Sequence, residues 1–377
     1  MLNRRHIRIR AMQTLYAYKR SERANYDLAQ DDLTEAFAPN LNSMAFQDKE
    51  LLGGQKKEAL AVLRGLVDID SINKKKTEDD AVQKAVSVAY TQYINRCERD
   101  KNYFIAKSVQ EAETAYDTYL LLLQLLVEIA NLAEPTEQLN GRFKLANNKI
   151  VKKLKALKNL EYLLLRRNLS LDSDFVQKLY REAIKNNERY DEYIAETSHT
   201  DEEDHAILKY LLKNVLFKHE IALEYFENLD LYWFENLDML RSMMTQAFDA
   251  ALEDKEEILE QLDDRWFEVR DFMVDLIKKV ITQENELNAH IKPKLKAWDL
   301  DRINDTDHYI IKIALVEMLD YPSIPVKVTF NEAIEIAKLF NPQKGALFVN
   351  GILDALQKEL TTTGQLKKSG RGLIDNR

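Results

Sequence analysis

The 377-residue sequence holds one cysteine, nine glycines and six prolines. A lone thiol, Cys97, excludes an internal disulfide framework and any multi-cysteine zinc site, so nothing calls for an oxidising compartment and a cytoplasmic location is expected. Glycine and proline fall far below their usual shares of about 7% and 5%, and the long runs between them favour helices over tight-turned β architecture. The predicted fold class is all-α. Long apolar runs are also missing. The most apolar stretch, Tyr119 to Ala133, is interrupted by Gln124 and Glu128 and falls short of the about 18 apolar residues that a membrane span needs, so no membrane association is expected. Arginines occupy the place where a signal peptide would carry its apolar core, and no export segment is predicted.

Several catalytic signatures are absent as well. The six histidines contain no pair at i, i+3 or i, i+4, and there is no HExxH, CxxC or HxH, so no metal site is predicted. Neither GxGxxG nor GxxxxGK[ST] occurs, which removes the glycine turns that cradle nucleotide phosphates. Gly53-Gly54 lies in acidic helical territory with no strand before it. No GxSxG elbow is present. Pairs of carboxylates are plentiful, but among 63 acidic residues they read as solvated helix faces. No catalytic residue and no cofactor is assigned.

What the chain does have is a segregated charge. Its net charge is −9, yet residues 1–23 hold Arg4, Arg5, Arg8, Arg10, Lys19, Arg20 and Arg23 against Glu22 alone, a local +6. An acidic molecule repels nucleic acid at long range, so any such binding has to be local. In the opening helix Ile7, Ala11, Leu15 and Tyr18 form one apolar stripe, with His6, Arg10 and Gln13 expected on roughly the opposite side. Arg4 and Arg8, one turn apart, suit a phosphate backbone. They equally suit a solvated helix face.

From about residue 24 to 262 the chain becomes acidic, with helices expected over Val109–Ala133, Asn147–Arg167, Leu171–Glu196 and Glu202–Glu227. Ser170 and Ser173 are candidate caps before the third. Residues 31–105 show weak patterning, and Ser71–Asp80 reads as a solvated, mobile connection. Ile207–Trp233 and Val269–Trp298 echo one another loosely, each ending in an exposed-looking aromatic turn, which fits a decayed duplication or chance likeness between helical hairpins. Further on, Thr306–Leu319 has a broad apolar face suited to a bundle centre. Pro322 and Pro325 are expected to hold "YPSIPVKV" extended. Thr329 and Glu332 fit a capping box. Asn341-Pro342 breaks the chain before a last helix through Phe348, Ile352 and Leu356. The tail 361–377 is expected to be disordered.

Two segments, "RRHIRIRAMQTLY" and "IPVKVTFNEAIEIAKLFNPQKGALFVNGILD", resemble the signature ends of the NusB family of bacterial transcription antitermination factors. "WFEVRDFMVDLIKKV", "IKPKLKAWDLDRI" and "IIKIALVEML" resemble the helices between them. The resemblance covers residues 1–23 and 264–360 and implies an all-α NusB-like helical bundle with a large helical insertion at 24–263. It also implies an activity, the binding of a single-stranded boxA-like leader RNA together with a small ribosomal protein, NusE, to keep the RNA polymerase elongation complex transcribing ribosomal RNA operons. Carried over by position, the RNA-facing residues are Arg4, Arg5, Arg8, Gln13, Phe348 and Asn350, while Arg10 joins them on charge alone. The partner-facing residues are Asp307, Lys312 and Glu317. Lys344 stands where relatives often carry an acid. Tyr16 and Phe348 could stack on splayed bases, though both also suit a core. Gly351 costs a helix about 1 kcal/mol relative to alanine, which suggests a close approach of another helix or of RNA. Two other functions fit the sequence, a non-catalytic helical scaffold and an accessory of ribosomal RNA modification. The second would need a methyl-donor fold with a glycine-rich strand-turn, which this chain lacks.

Overall fold

Apolar residues at helical spacing become helices throughout a computed structural model of the protein, which describes residues 4–42, 44, 46–67, 77–139, 144–259, 264–297 and 304–373. All fifteen main elements among the described residues are α-helices. They are α1 (Arg4–Ala36), α2 (Lys49–Val67), α3 (Asp80–Leu139), α4 (Lys149–Lys155), α5 (Lys158–Arg166), α6 (Ser173–Leu179), α7 (Glu188–Ala195) and α8 (Asp201–Leu211). They continue as α9 (Glu220–Leu229), α10 (Trp233–Leu252), α11 (Asp264–Thr282), α12 (Glu284–Ile291), α13 (Asp305–Asp320), α14 (Val326–Phe340) and α15 (Gly345–Thr362). The chain divides into two compact units, Met1–Ile7 with Val109–Phe272, and Arg8–Ser108 with Met273–Arg377. The divisions fall inside α1, α3 and α11.

In the unit containing Val109–Phe272, the leucine-rich part of α3 is buried all round, including Tyr119, Leu120, Leu122, Leu123, Leu125, Leu126 and Ile129. A helix apolar on every side belongs in a core. Each buried leucine there stabilises the unit by about 1.5–3 kcal/mol. By length and composition alone α3 could cross a membrane, but most of that apolar window is enclosed by the protein itself.

The helices that follow are shorter than expected. Asn147–Arg167 is split into α4 and α5 by an extended Leu157. Leu171–Glu196 and Glu202–Glu227 each end their first helix in a wider π turn, at Tyr180–Ile184 and Leu212–Leu216. Asn187 then caps α7 through its side-chain oxygen, the competition with the helix that short polar residues offer, and His219 caps α9 by accepting the Ile221 N–H at its ring Nδ1. Asp172, not Ser170 or Ser173, caps α6. The capping box of this unit is Thr200 with Glu203. The aromatic turn "DLYWFENLD" is exposed at Leu231 and Phe234, whereas Trp233 is core, stacked on Phe226 at 4.8 Å between ring centroids. Trp298, the end of the matching echo, lies outside the described residues.

In the other unit α1 does not stop at residue 23. Its second half places Ala29 and Leu33, with Phe37 just beyond its end, against Ala59, Val62 and Leu63 of α2 and Val82, Val86, Ala89, Tyr93 and Cys97 of α3. The region 31–105, weakly patterned in sequence, is a helical cluster over its described residues. Asp48 and Asp79 start α2 and α3 by accepting two backbone N–H bonds each. Residues 71–76 of the expected mobile connection lie outside the described residues. Gly53-Gly54 sits within α2.

The same unit holds α12 to α15, with α14 and α15 packed on each other and on α13. Every residue of α13 from Tyr309 to Met318 is buried, as its broad apolar face predicts. Pro325 precedes the first turn of α14, so "YPSIPVKV" is non-helical only up to that proline. Thr329 consequently lies inside α14 and is not a cap. Over its described residues, 361–373, the tail is not loose either, and residues 374–377 lie outside them. Ser369 donates its backbone N–H to Pro322 at 3.0 Å, and the Lys368 ammonium donates to the carbonyls of Glu317 and Tyr321, both at 3.0 Å. These bonds supply partners for carbonyls at the end of α13. A Cβ at Gly372 would meet the Pro322 carbonyl at 2.0 Å, so only glycine fits this contact.

Candidate nucleic-acid interface

The structure sorts the expected RNA-facing residues by exposure. Arg4, at the start of α1, is exposed, and its guanidinium lies 5.9 Å from the Phe272 ring centroid. Arg5 is half-buried. Both belong to the unit that contains Phe272.

Arg8 belongs to the other unit and is 2% exposed. Its Nε donates to Glu317 Oε1 at 2.5 Å and its Nη2 to Oε2 at 2.9 Å, while Thr329 donates its hydroxyl to the same Oε2 at 2.9 Å. Glu317 is wholly buried. The fork of a guanidinium matches a carboxylate edge, and burial of both charges is tolerable only in such paired, hydrogen-bonded geometry. Arg10 is buried as well, so neither arginine presents its charge to solvent. The expected split of α1 into an apolar stripe and an open basic face fails here, because residues 8–12 are buried on all sides. Phe348 is 7% exposed and faces the core of its unit, which removes its ring as a stacking face. Asn350 is exposed, and Gln13 is half-buried, with an Oε1 that meets no hydrogen-bond partner among the described residues. A Cβ at Gly351 would meet nothing within 4 Å, so the close approach expected there is not made by the protein itself.

The three residues expected to face a protein partner are also interior. Lys312 donates to Glu284 Oε1 at 2.7 Å. Glu284 is pushed up by burial, but the ammonium groups of Lys312 and Lys19 outweigh this and hold its carboxyl below the usual range. Asp307 accepts from the Asn341 amide at 2.8 Å, and its carboxyl is raised by burial against that bond. Glu317 is the partner of Arg8. Each is committed to a bond inside the unit, so none offers a surface contact.

Sequence reasoning missed a cleft of about 490 Å³ beyond the expected arginines, lined among others by Tyr16, Arg20, Arg23, Tyr93, His308 and Tyr309. Arg20 lies 5.0 Å from the Tyr16 ring centroid and pairs with Asp305 at 2.6 Å. Burial, reinforced by the Lys312 charge, lowers His308 to about 4, so the ring is neutral at pH 7. The signal lay in the helical period continued past residue 23, which brings Tyr16, Lys19, Arg20, Arg23 and Tyr26 to one side.

The motifs that carry the family resemblance lie on α1, α14 and α15, the helices just described. A sequence model described as the NusB family matches residues 235–358, beginning in α10 and so upstream of residue 264. Three relatives named transcription antitermination protein NusB align with the chain. That of Chloroherpeton thalassium is 43% identical over 106 residues, 28% of this chain and 50% of the relative. That of Salinibacter ruber is 36% identical over 105 residues, 28% of this chain and 66% of the relative. That of Halalkalibacterium halodurans is 33% identical over 117 residues, 31% of this chain and 79% of the relative. The chain belongs to the NusB family. It spans half the length of the first of these NusB relatives and 66% of the second. No solved structure matches. In this NusB-family chain no group of three His, Cys, Asp or Glu side chains is placed to hold a metal among the described residues.

Proposed function

We propose that the protein is a cytoplasmic, non-catalytic antitermination factor that binds single-stranded boxA-like RNA with the small ribosomal protein NusE and acts on the RNA polymerase elongation complex. The observation that carries this is the long, ungapped motif of α14 and α15 in a chain of the NusB family. Arg4, Arg5, Gln13 and Asn350 are the RNA-facing residues in this reading. Arg4 and Arg5 supply charge to phosphates, and the two amides supply donors and acceptors to base edges. Arg8 positions α1 through Glu317 rather than touching RNA. The test is fluorescence anisotropy with boxA-like and scrambled RNA of equal length, with and without the ribosomal partner. The partner should sharpen the preference for boxA. Equal, weak binding of both RNAs in its presence would reject the proposal.

One observation favours a second reading. Burial of Arg8 and Arg10 removes two of the four arginines in the first ten residues from the surface, which suits a helical scaffold that binds protein alone. Capture of the ribosomal partner with no RNA binding at low salt would select it.

A further inference from the structure

The unit that carries Arg4 and Arg5 also carries a cleft of about 510 Å³ between α5 and the first turns of α11 with α3 behind them, where Trp266 and Phe267 of the family-like segment face α3 and α5 of the 24–263 insertion. Its floor is the buried ring of Trp266, whose Nε1–H donates to Glu113 at 3.2 Å. Arg167 closes the inner wall, tied to Asp117 and lying 3.6 Å from Glu113, so the cleft's carboxylate at Glu113 is already engaged on two sides. The rim differs in kind. Tyr162 is 57% exposed and Phe267 47% exposed, one large ring on each element, with the Arg270 guanidinium 5.1 Å from the Phe267 ring centroid. Asn159 and Arg166 are exposed beside them on α5, and Arg166 makes no ion pair among the described residues. Positions 159, 162 and 166 follow the i, i+3, i+7 spacing that gathers side chains on one helix face.

We propose that this cleft is a nucleobase pocket for single-stranded RNA, formed where α3 and α5 of the 24–263 insertion meet the start of α11, a helix within the family match. Exposed rings give a base a stacking platform whatever its identity, the Arg166 guanidinium meets the adjoining phosphate, and the Asn159 amide can pair with a base edge. Phe267 and Phe272 lie on the same helix, about 7.5 Å apart along its axis at 1.5 Å per residue. Five residues also carry Phe272 about 140° round the helix from Phe267, so Arg4, which sits over Phe272, lies in the same unit as the pocket but on another face of α11. The proposal rests on the RNA-binding function above and adds to it a base-contacting site.

The test uses the full chain and single-stranded RNA decamers that carry either normal bases throughout or one abasic nucleotide scanned along the strand. Wild-type protein, the Tyr162→Ala/Phe267→Ala variant and the Arg4→Ala/Arg5→Ala variant are compared, with circular dichroism confirming helix content. The ring variant is expected to lose about tenfold or more in affinity for the normal strand. It should show no further loss with the strand whose abasic position already weakens the wild type. A 5-iodouridine placed at that position should cross-link to a peptide holding Tyr162, Trp266 or Phe267. If wild-type and ring-variant affinities agree while the arginine variant loses binding, the pocket is overturned and RNA binding stands. If the ring variant keeps RNA but loses the ribosomal partner, the cleft is a protein site and the pocket is overturned. If wild-type protein binds no strand, the RNA-binding function itself falls.

Discussion

Replacing Arg8 separates a structural arginine from a nucleic-acid contact. Arg8→Met keeps the length and apolar stem of the side chain but removes both hydrogen bonds to Glu317. The wholly buried carboxylate is then left with the Thr329 hydroxyl as its remaining partner among those described. Breaking a buried pair by deleting one member costs about 3–5 kcal/mol, and the surviving Thr329 bond places this case at about 3. The double variant Arg8→Met/Glu317→Leu removes both charges and fills the space with apolar atoms, so it should recover most of that loss. The assay is chemical denaturation followed by far-ultraviolet circular dichroism, run in urea so that salt does not mask the pair, on wild type, both single variants and the double. A midpoint unchanged in Arg8→Met, together with weaker RNA binding, would refute the buried-pair argument and return Arg8 to the RNA surface.

Three further outcomes follow from single positions. Gly351→Ala should stabilise the protein by up to about 1 kcal/mol in thermal melts, because its Cβ meets open space and alanine favours helix, and a loss of stability would show an unseen contact. His308, with a native value of about 4 against an ordinary 6.5, leaves the unfolded chain to bind the proton first as pH falls. Stability is therefore lost between pH 6.5 and 4, by at most about 3 kcal/mol from this group, and His308→Leu should flatten the pH dependence of the urea midpoint over that window. Gly372→Ala should expel the tail from Pro322, seen as faster hydrogen exchange at the Ser369 amide with little change in the α13 core, and full protection in the variant would contradict the contact.

Much of the architecture was legible because periodicity and the scarcity of glycine and proline both demand helix. The centre of the bundle at α13 and the break at Asn341-Pro342 were readable for the same reason. Helix ends were not. Asp172 outcompetes Ser170 and Ser173 as a cap, and π turns interrupt runs whose apolar spacing continues without a break. The tail offered no periodicity, since it is held by two backbone contacts and one ammonium rather than by an apolar face. The site was misread through charge. A formal charge in a sequence says nothing about whether a carboxylate 309 residues away will meet it, and so Arg8, Asp307, Lys312 and Glu317 all looked like surface. The cleft at α5 and α11 was invisible for a related reason, because Tyr162 and Phe267 are ordinary apolar residues until the fold leaves them exposed.

The salt dependence of RNA binding by the Arg4→Ala/Arg5→Ala variant, with Arg8 intact, bears most directly on the proposed function. Each phosphate contact to a single strand contributes about 0.7 to the slope of log K against log salt, so losing two should flatten it by about 1.4. Such a change, with helix content and the urea midpoint preserved, is the predicted result. A slope identical to that of the wild type would contradict the account, leaving the arginine end a solvated helix terminus and the chain a protein-binding member of its family.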